Sequence, residues 1–450
     1  MDDAKSQRLV LAMVCAVAVS TIYAIQPVLG KAGAELGSAP ESLGRLVAAG
    51  QIGYFAGLIL LVPLGDILDR RRLIIGHLLL TGAGAATAAV AANGIIAAAG
   101  LATAGLFAVV VQVTVAYVAA ISAPQERGRN IGAVTSGVVI GILGVRVLAG
   151  ALGDTIGWRA VYVLLAAACA ALAVRARTKL RPDPRSSGCR YPQVLKAMGR
   201  TIAKDRLLLG RGIIAFFVFA SFATLWSGLA LPLGAPPWTF GTTAIGLFGL
   251  AGLAGAAGAA RAGRWADSGR AQSVTGGSLV LLAASWLLIA RTEPTLWLLV
   301  IGIVVLDFAV QAVHVSSQHL LTTAHPDHTG SVIGAYMVFY SLGSAVGAIT
   351  TTWTYSVWGW RASCLAGALF ALAGFIVWGV TRSAPATRQI VGYRERNRLW
   401  FSARNRTTRF VGGPEAGVTY REAKSATPRP SPDRSGRSCN KRLRDKGCSI

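Results

Sequence analysis

Four polar residues recur along one apolar stretch of the chain, Asp307, Gln311, His314 and Gln318. Their spacing of four, three and four residues puts all of them on one face of a helix. A carboxylate two turns from an imidazole suits proton handling or solute coordination, with Asp307 changing its protonation state and His314 relaying a proton or orienting the site. The same residues would equally serve a static buried network that holds this helix against a neighbour. Arg146 is a second ionisable residue inside an apolar stretch, about 16 residues and so about 24 Å from its nearer basic end. It could snorkel outward, bind an anionic group or pair with Asp307.

Amides and phenols recur in other apolar stretches. Tyr23 and Gln26, Gln51 and Tyr54, and Tyr336 and Tyr340 form pairs about one helical turn apart, and Gln112 stands singly. Together they could line a cavity for a neutral or amphipathic solute, although interhelical hydrogen bonding is the plainer role for any one of them. Phe222 and Trp226 read as packing or interface anchors. Enzyme signatures are missing: the sequence has no phosphate-binding Gly-x-x-x-x-Gly-Lys-Ser/Thr loop, no His/Glu metal motif and no nucleophile elbow. No cofactor is expected, and any transport must draw on a gradient.

The elements that hold these residues are long apolar runs. Of 450 residues, 53% are apolar and 14% charged, with mean hydropathy +0.54, which is the composition of a chain whose solvent is lipid. A bilayer core of about 30 Å takes about 20 helical residues. Runs of that length fall at 8–30, 43–63, 73–92, 94–118, 130–152, 157–175, 207–231, 243–262, 273–290, 293–317, 330–354 and 359–380. The expected class is therefore an all-α membrane protein of twelve transmembrane helices. Tight turns are expected at Asn93 and across Arg291 to Thr295. The first run continues past any clear cleavage site and reads as a span rather than a signal peptide.

The net charge of +25 does not point to nucleic acid, because the basic residues lie between apolar runs and in the last stretch rather than on one face. Arg70 to Arg72, Arg127 and Arg129, the stretch 175–206, Arg261, Arg264 and Arg270, and the tail all fall on one side of the membrane. The positive-inside rule makes that side cytoplasmic, with both termini there and the chain in the cytoplasmic (inner) membrane. The expected domains are a six-helix bundle over 1–175, a basic linker over 176–206 with room for one surface helix, a second six-helix bundle over 207–382, and a basic disordered tail over 383–450. Anionic lipid headgroups are the expected partner of the basic segments, and the protein is expected to be a monomer. The six cysteines are scattered and suggest neither a disulfide framework nor a zinc site.

The two bundles repeat. Pro124, Gly128, Gly132 and Ala133 recur as Pro326, Gly330, Gly334 and Ala335, and Gly157-Trp158-Arg159-Ala160 recurs as Gly359-Trp360-Arg361-Ala362, all at an offset of 202. Gly65 and Asp69 recur as Gly263 and Asp267 at an offset of 198. A register held across several spans indicates duplication, and parallel repeats place a solute site near the membrane midplane between the halves.

The loop LVPLGDILDRRRLI, with Gly65, Asp69, Arg70 and Arg71, is similar to the G-x-x-x-D-R-x-G-R-R signature of the major facilitator superfamily, with Arg72 in place of the second Gly. Its copy GRWADSGR keeps Gly263, Asp267, Gly269 and Arg270, with Ser268 where Arg is usual. Tyr23, Gln26 and Pro27, Gln51, Gly53 and Tyr54, the run GRNIGAVTSGVVIGILGVR, and Asp307, Gln311, His314, Val315 and Ser316 resemble the bacterial arabinose or sugar efflux permease-like branch. Arg146 sits where drug/proton antiporters carry a span 5 motif, but the Gly-Pro pair of that motif is absent. The resemblance implies the major facilitator fold and a cytoplasmic gate at Gly65, Asp69, Arg70, Arg71, Gly263, Asp267 and Arg270 that breaks and re-forms during alternating access. In physical terms Asp69 at a helix N-terminus is stabilised by the partial positive charge there, the arginines can pair with it, and Gly65 would permit close backbone approach. The plainer role of the cluster is helix capping and topology. Two classes remain open: a proton-coupled exporter of a small solute, or a transporter-like membrane receptor or scaffold that binds solute without carrying it.

Overall fold

A computed structural model of the chain describes residues 2–38, 43–122, 126–183, 191–265, 270–291, 295–325 and 329–382. The sequence-based expectations for Asp267 and for the tail over 383–450 lie outside the described residues, as do the side-chain surroundings of Gly263.

Apolar helix follows apolar helix in the described residues: α1 (Asp2–Tyr23), α2 (Ile25–Glu35), α3 (Leu43–Leu60), α4 (Arg70–Ala89), α5 (Gly94–Ala108), α6 (Val110–Ile121), α7 (Arg127–Thr155), α8 (Trp158–Lys179), α9 (Tyr191–Lys204), α10 (Arg206–Gly228), α11 (Ala230–Gly234), α12 (Thr242–Trp265), α13 (Ala271–Ile289), α14 (Leu296–Ala324), α15 (Thr329–Trp358) and α16 (Trp360–Thr381). Backbone N–H and C=O groups have no water partner in lipid, so each crossing must satisfy them within the helix. Eleven segments are long and apolar enough to cross a membrane, and α12 supplies a shorter apolar stretch, Thr242–Ala257. The lipid-facing surface is correspondingly apolar, with Val90, Trp297 and Ile376 well exposed.

Four crossings that read as single runs are broken. The first divides at Ala24, with Pro27 in the first turn of α2, where its missing N–H would have had no helical partner. The second tightens into a 3₁₀ turn over Val62–Asp66, with Pro63 at its start. The fourth divides at Val109 between α5 and α6, and the seventh at Leu229, with Pro232 in the short α11 beyond it. Asn93 caps α5 by accepting from the amides of Ile95 (3.1 Å) and Ile96 (3.0 Å). α9 is a helix within the linker, joined to the first half by the Tyr191 hydroxyl, which donates to the Leu60 carbonyl at 2.8 Å.

The duplication is visible in which crossings pack together. In the first half, crossings 1 and 5, 1 and 6, 2 and 4, 3 and 4, 3 and 6, and 5 and 6 are neighbours, and the second half repeats each pair as 7 and 11, 7 and 12, 8 and 10, 9 and 10, 9 and 12, and 11 and 12. The seam between the halves is formed by α3 on α15 and α7 on α12, which are themselves equivalent under the repeat, and by α2 against α10, α11 and α12. The result is two six-helix bundles with the same internal packing.

Gly157 and Gly359 occupy the same backbone position in the two halves, each the N-cap before a Trp that opens the last helix of its bundle. Their torsions, φ 104° and ψ 158° at Gly157 and φ 76° and ψ −173° at Gly359, fall in a region open essentially to glycine alone. We expect Gly157→Ala and Gly359→Ala each to cost about 1–3 kcal/mol. Gly144→Ala, where an added Cβ meets nothing within 4 Å, should leave the thermal unfolding temperature in detergent unchanged or slightly raised. Equal melting of all three variants would count against the strain.

Candidate functional site

The buried charges meet at the seam between the bundles. Arg146, on α7 of the first half, and Asp307, on α14 of the second, are both 1% exposed. An ionised group at membrane depth costs about 2.5–3.5 kcal/mol or more unless its surroundings compensate it, so their partners define the site. The Arg146 Nε and Nη2 donate to Gln26 Oε1 at 3.2 and 2.9 Å. Its guanidinium carbon lies 3.9 Å from the Trp226 ring centroid and 5.6 and 5.7 Å from those of Tyr23 and Phe222, an aromatic enclosure suited to a desolvated cation. Trp226 Nε1 in turn donates to Asp307 Oδ2 at 3.2 Å. Among the described residues no cation comes within 4 Å of Asp307. Trp226 therefore mediates between the charges, with its face on the guanidinium and its edge on the carboxylate.

The local sequence allows this close layer. Gly246, Gly249, Gly252 and Gly255 of α12 have no side chains to separate α7 from α14; a Cβ at Gly252 would lie 2.8 Å from the Trp226 ring and 3.3 Å from Asp307 Oδ2. Arg146 does not snorkel, because α12 and the aromatic rings enclose it. Its Nη1 is buried with no hydrogen-bond partner, and the residue lines a cavity of about 10 Å³, room for a single water, with Gln26, Pro27, Trp226, Leu229 and Ile245.

A second group lies further along the seam. The Tyr23 and Tyr340 hydroxyls are 2.5 Å apart across the halves, and Ser341 Oγ donates to the Gln51 carbonyl at 2.6 Å. Gln112 Nε2 donates to the Tyr54 hydroxyl at 3.2 Å. His314 Nδ1 is 3.1 Å from the Tyr336 hydroxyl and Nε2 is 3.1 Å from Gln318 Nε2, a pattern satisfied when Nδ1 carries the proton. The imidazole also stands edge-to-face with Phe219 at 5.3 Å. Gln311 is half-buried on the same helix face. The structure thus brings Tyr23, Gln26, Arg146 and Tyr340 around the seam with Asp307 and holds His314 two turns away with its own partners. The Gln26 side chain also reaches Ser227 Oγ at 3.4 Å across the halves.

At the Asp69 end, Asp69 and the neighbouring arginines tie loop, helix and linker together. Asp69 caps α4, accepting from the amides of Arg71 (2.8 Å) and Arg72 (3.3 Å). The cross-tie comes from Arg70, 6% exposed, whose Nε donates to the Gly65 carbonyl at 2.9 Å and whose Nη1 donates to the Ala116 carbonyl at 3.1 Å. Asp66 lies at 3.4 Å and Asp183 at 3.6 Å from its terminal nitrogens. Arg71 Nη2 reaches the Arg177 carbonyl at 2.5 Å. Gly65 contributes its carbonyl rather than a close approach, since an added Cβ would meet only Arg70 Nε, at 3.9 Å. Arg270 is exposed at the N-cap of α13.

Two residues that the sequence reading did not single out complete the description. Asp154, at the far end of α7, accepts from the amides of Thr242 (3.0 Å) and Thr243 (2.6 Å) and from Lys31 Nζ (2.6 Å). It caps α12 of the opposite bundle, so the Gly157 end of the seam is closed by a helix cap made across the halves. Nearer the Asp69 end, α7 packs instead on its own bundle, with Gly137 and Gly141 against the Ala12 and Ala16 carbonyls. Arg211 is also buried, but it is spanned by Gln272 (2.6 Å) and Thr275 (3.1 Å) on α13 and lies outside the Arg146 layer.

Residues 9–348 and 212–417 match the family model of the Major Facilitator Superfamily. Over 361 residues the chain is 37% identical to a protein described as a transporter, YgaY of Escherichia coli (strain K12), covering 80% of this chain and 92% of that one. It is 31% identical over 378 residues to SCO4007 of Streptomyces coelicolor, described as a probable transporter, covering 84% and 87% respectively. Among solved structures, a bacterial homologue of the human lysosomal transporter Spinster, inward-facing and occupied, superposes with a TM-score of 0.68 over 83% of this chain and 96% of that one; at 13% identity this is a likeness of fold.

Removing the Asp154 carboxylate should loosen the closed end. With Cys189, Cys439 and Cys448 replaced by Ser, Ala230→Cys places a thiol beside the seam cavity. Adding Asp154→Ala should raise its rate of maleimide labelling several-fold, a cap being worth about 1 kcal/mol and the Lys31 contact adding to it. An unchanged rate would mean that Asp154 does not hold the bundles together.

Proposed function

Because this chain belongs to the major facilitator superfamily, we propose that the Arg146–Trp226–Asp307 layer is the coupling site of a secondary active transporter that exports a small solute by alternating access, coupled to protons. Transport across a membrane follows from the family and from the relatives described as transporters. The finer reading rests on one observation: a buried carboxylate and a buried guanidinium lie on opposite sides of the seam, joined only through an indole.

Parting the bundles separates Arg146 and Gln26 from Trp226 and Asp307. Asp307 keeps its hydrogen bond from Trp226 in its own bundle but loses the nearby guanidinium; a carboxylate without a nearby cation in a low-dielectric interior is costly, and a proton is the smallest particle that removes the charge. Asp307 takes up a proton when the layer opens to one side and releases it when the layer opens to the other. The solute enters the same seam, among Tyr23, Gln26, Gln51, Tyr54, Gln112, Gln311, Tyr336 and Tyr340. The concentration of Arg and Lys at the Asp69 end supports a cytoplasmic assignment for that end and for both termini, in the cytoplasmic membrane. The protein acts as a monomer, with its basic linker against anionic headgroups.

A thermal-shift screen of the purified protein against sugars, amphipathic drugs and metabolites supplies a stabilising solute for the test. In proteoliposomes, an imposed pH gradient should drive flux of that solute through the unaltered protein. Asp307→Asn should lose gradient-driven flux while retaining solute exchange at equal pH. Absence of any pH-driven flux in the unaltered protein would overturn proton coupling, and full coupling in the Asn variant would overturn the role of Asp307.

A further inference from the structure

The end of the second bundle where α13 begins and α16 stops carries basic residues that no carboxylate matches. Arg211, on α10, is 4% exposed, and its Nη2 and Nη1 donate to Gln272 Oε1 (2.6 Å) and Thr275 Oγ1 (3.1 Å), both uncharged. Arg382 is exposed and lies over Trp378, its guanidinium carbon 5.0 Å from the ring centroid. Arg270 is exposed two residues before Gln272. Among the described residues none of these three arginines is ion-paired. From this cluster we infer that the rim between α13 and α16 binds the headgroup of an anionic phospholipid, with Arg382 and the Gln272 amide on its phosphate, Arg211 behind them and Arg270 adding charge. The site is separate from the surface contact proposed for the linker, and it rests on the chain spanning a membrane, not on the coupling layer.

The packing holds these groups in place. Gly276 leaves room for the Trp378 indole to lie against α13, since an added Cβ there would run into its ring. So seated, Trp378 Nε1 donates to Gln272 Oε1 at 3.2 Å. Gln272 Oε1 thus accepts from both Arg211 and Trp378, which leaves the Nε2 hydrogens of this half-buried side chain for an acceptor outside. A buried guanidinium whose partners are all neutral keeps its charge uncompensated, and an anion on Gln272 Nε2 stands one side chain away from it. Basic pockets between helices at the membrane interface suit phospholipid headgroups, and arginine suits phosphate oxygens. The neighbouring surface favours a lipid over a free phosphate ion. Val280, one turn beyond Gly276 on α13, and Ile376, just before Trp378 on α16, are 52% and 64% exposed and offer an apolar track for acyl chains.

Native mass spectrometry of the purified, detergent-solubilised protein, titrated with phosphatidylglycerol or phosphatidylcholine, reads the affinity of the tightest lipid. Phosphatidylglycerol should bind more tightly than the zwitterionic phosphatidylcholine, and an equal concentration of inorganic phosphate should not displace it. Arg382→Gln and Arg270→Gln should each weaken the tightest phosphatidylglycerol about fivefold. Gln272→Glu, which gives Arg211 an internal carboxylate and turns negative charge toward the phosphate, should abolish that binding. Lys196→Gln combined with Arg200→Gln, both exposed on α9, should leave it unchanged. Arg382 lies on the surface, so its variant serves if Gln272→Glu fails to fold. Equal affinity for the two lipids, displacement by inorganic phosphate as for a free-anion site, unchanged binding in the Arg382 variant or in a folded Gln272 variant, or an equal loss in the α9 variant would each overturn the inference. All of these readouts are independent of the Asp307 flux test.

Discussion

The structure depends on keeping two opposite charges buried in lipid without letting them pair. Arg146 and Asp307 belong to different bundles, and a direct ion pair would fasten the bundles together with contacts that are hard to break in a low-dielectric interior. Trp226 replaces that pair with a cation–π contact on one side and a single hydrogen bond on the other. Each is weaker than a bidentate ion pair and each can be lost separately. The glycines of α12 follow from this arrangement, since any side chain at Gly252 would enter the space between the indole and the carboxylate. The break between α10 and α11 falls directly after the stretch that carries Trp226, close to where the seam must give.

The duplication explains the frame but not the chemistry. Helix pairing, the glycines before Trp158 and Trp360, and the equivalence of the α3–α15 and α7–α12 contacts all follow the internal repeat. The charges do not. At the offset of 202, Arg146 corresponds to Ala348 and Asp154 to Ser356. With an offset between 198 and 202, Asp307 corresponds to a position in Gly105-Leu106-Phe107-Ala108-Val109, which holds no carboxylate. Two equivalent bundles can rock about a common axis, but a directional cycle needs a site whose two sides differ. The asymmetry resides in a guanidinium contributed by one half and a carboxylate contributed by the other.

How much of this was legible in the sequence depended on cost. The crossings were readable because lipid demands about 20 apolar residues at a time, and Asp307 and Arg146 were readable because a charge within such a run is rare. The hinges at Ala24, Val109 and Leu229 were not, because they interrupt the helix without interrupting its apolar character; only the prolines near two of them leave a trace. Trp226 reads as packing because it lies in an aromatic-rich span, where an indole that bonds a carboxylate looks like any other. Asp154 sits at the end of a run and reads as loop, and its partners are amides of residues 88 and 89 positions away. The Asp69 loop was legible as a motif, yet its division of labour was not: Asp69 caps its own helix while Arg70 makes the ties.

The two ends of the seam are held by different means. At the Gly157 end a carboxylate of one bundle caps a helix of the other, so separating the halves there uncaps α12 and strands Lys31. At the Asp69 end the ties of Arg70 to the Gly65 and Ala116 carbonyls and of Arg71 to the Arg177 carbonyl lie within the first bundle. A rocking motion that opens the Gly157 end must exchange the Asp154 contacts for water. The closed arrangement seen at the Gly157 end is the state those contacts favour. Tipping the balance the other way requires something that alters the polar contacts in the middle of the seam, the Arg146–Trp226–Asp307 layer together with the Tyr23–Tyr340 and Ser341–Gln51 ties.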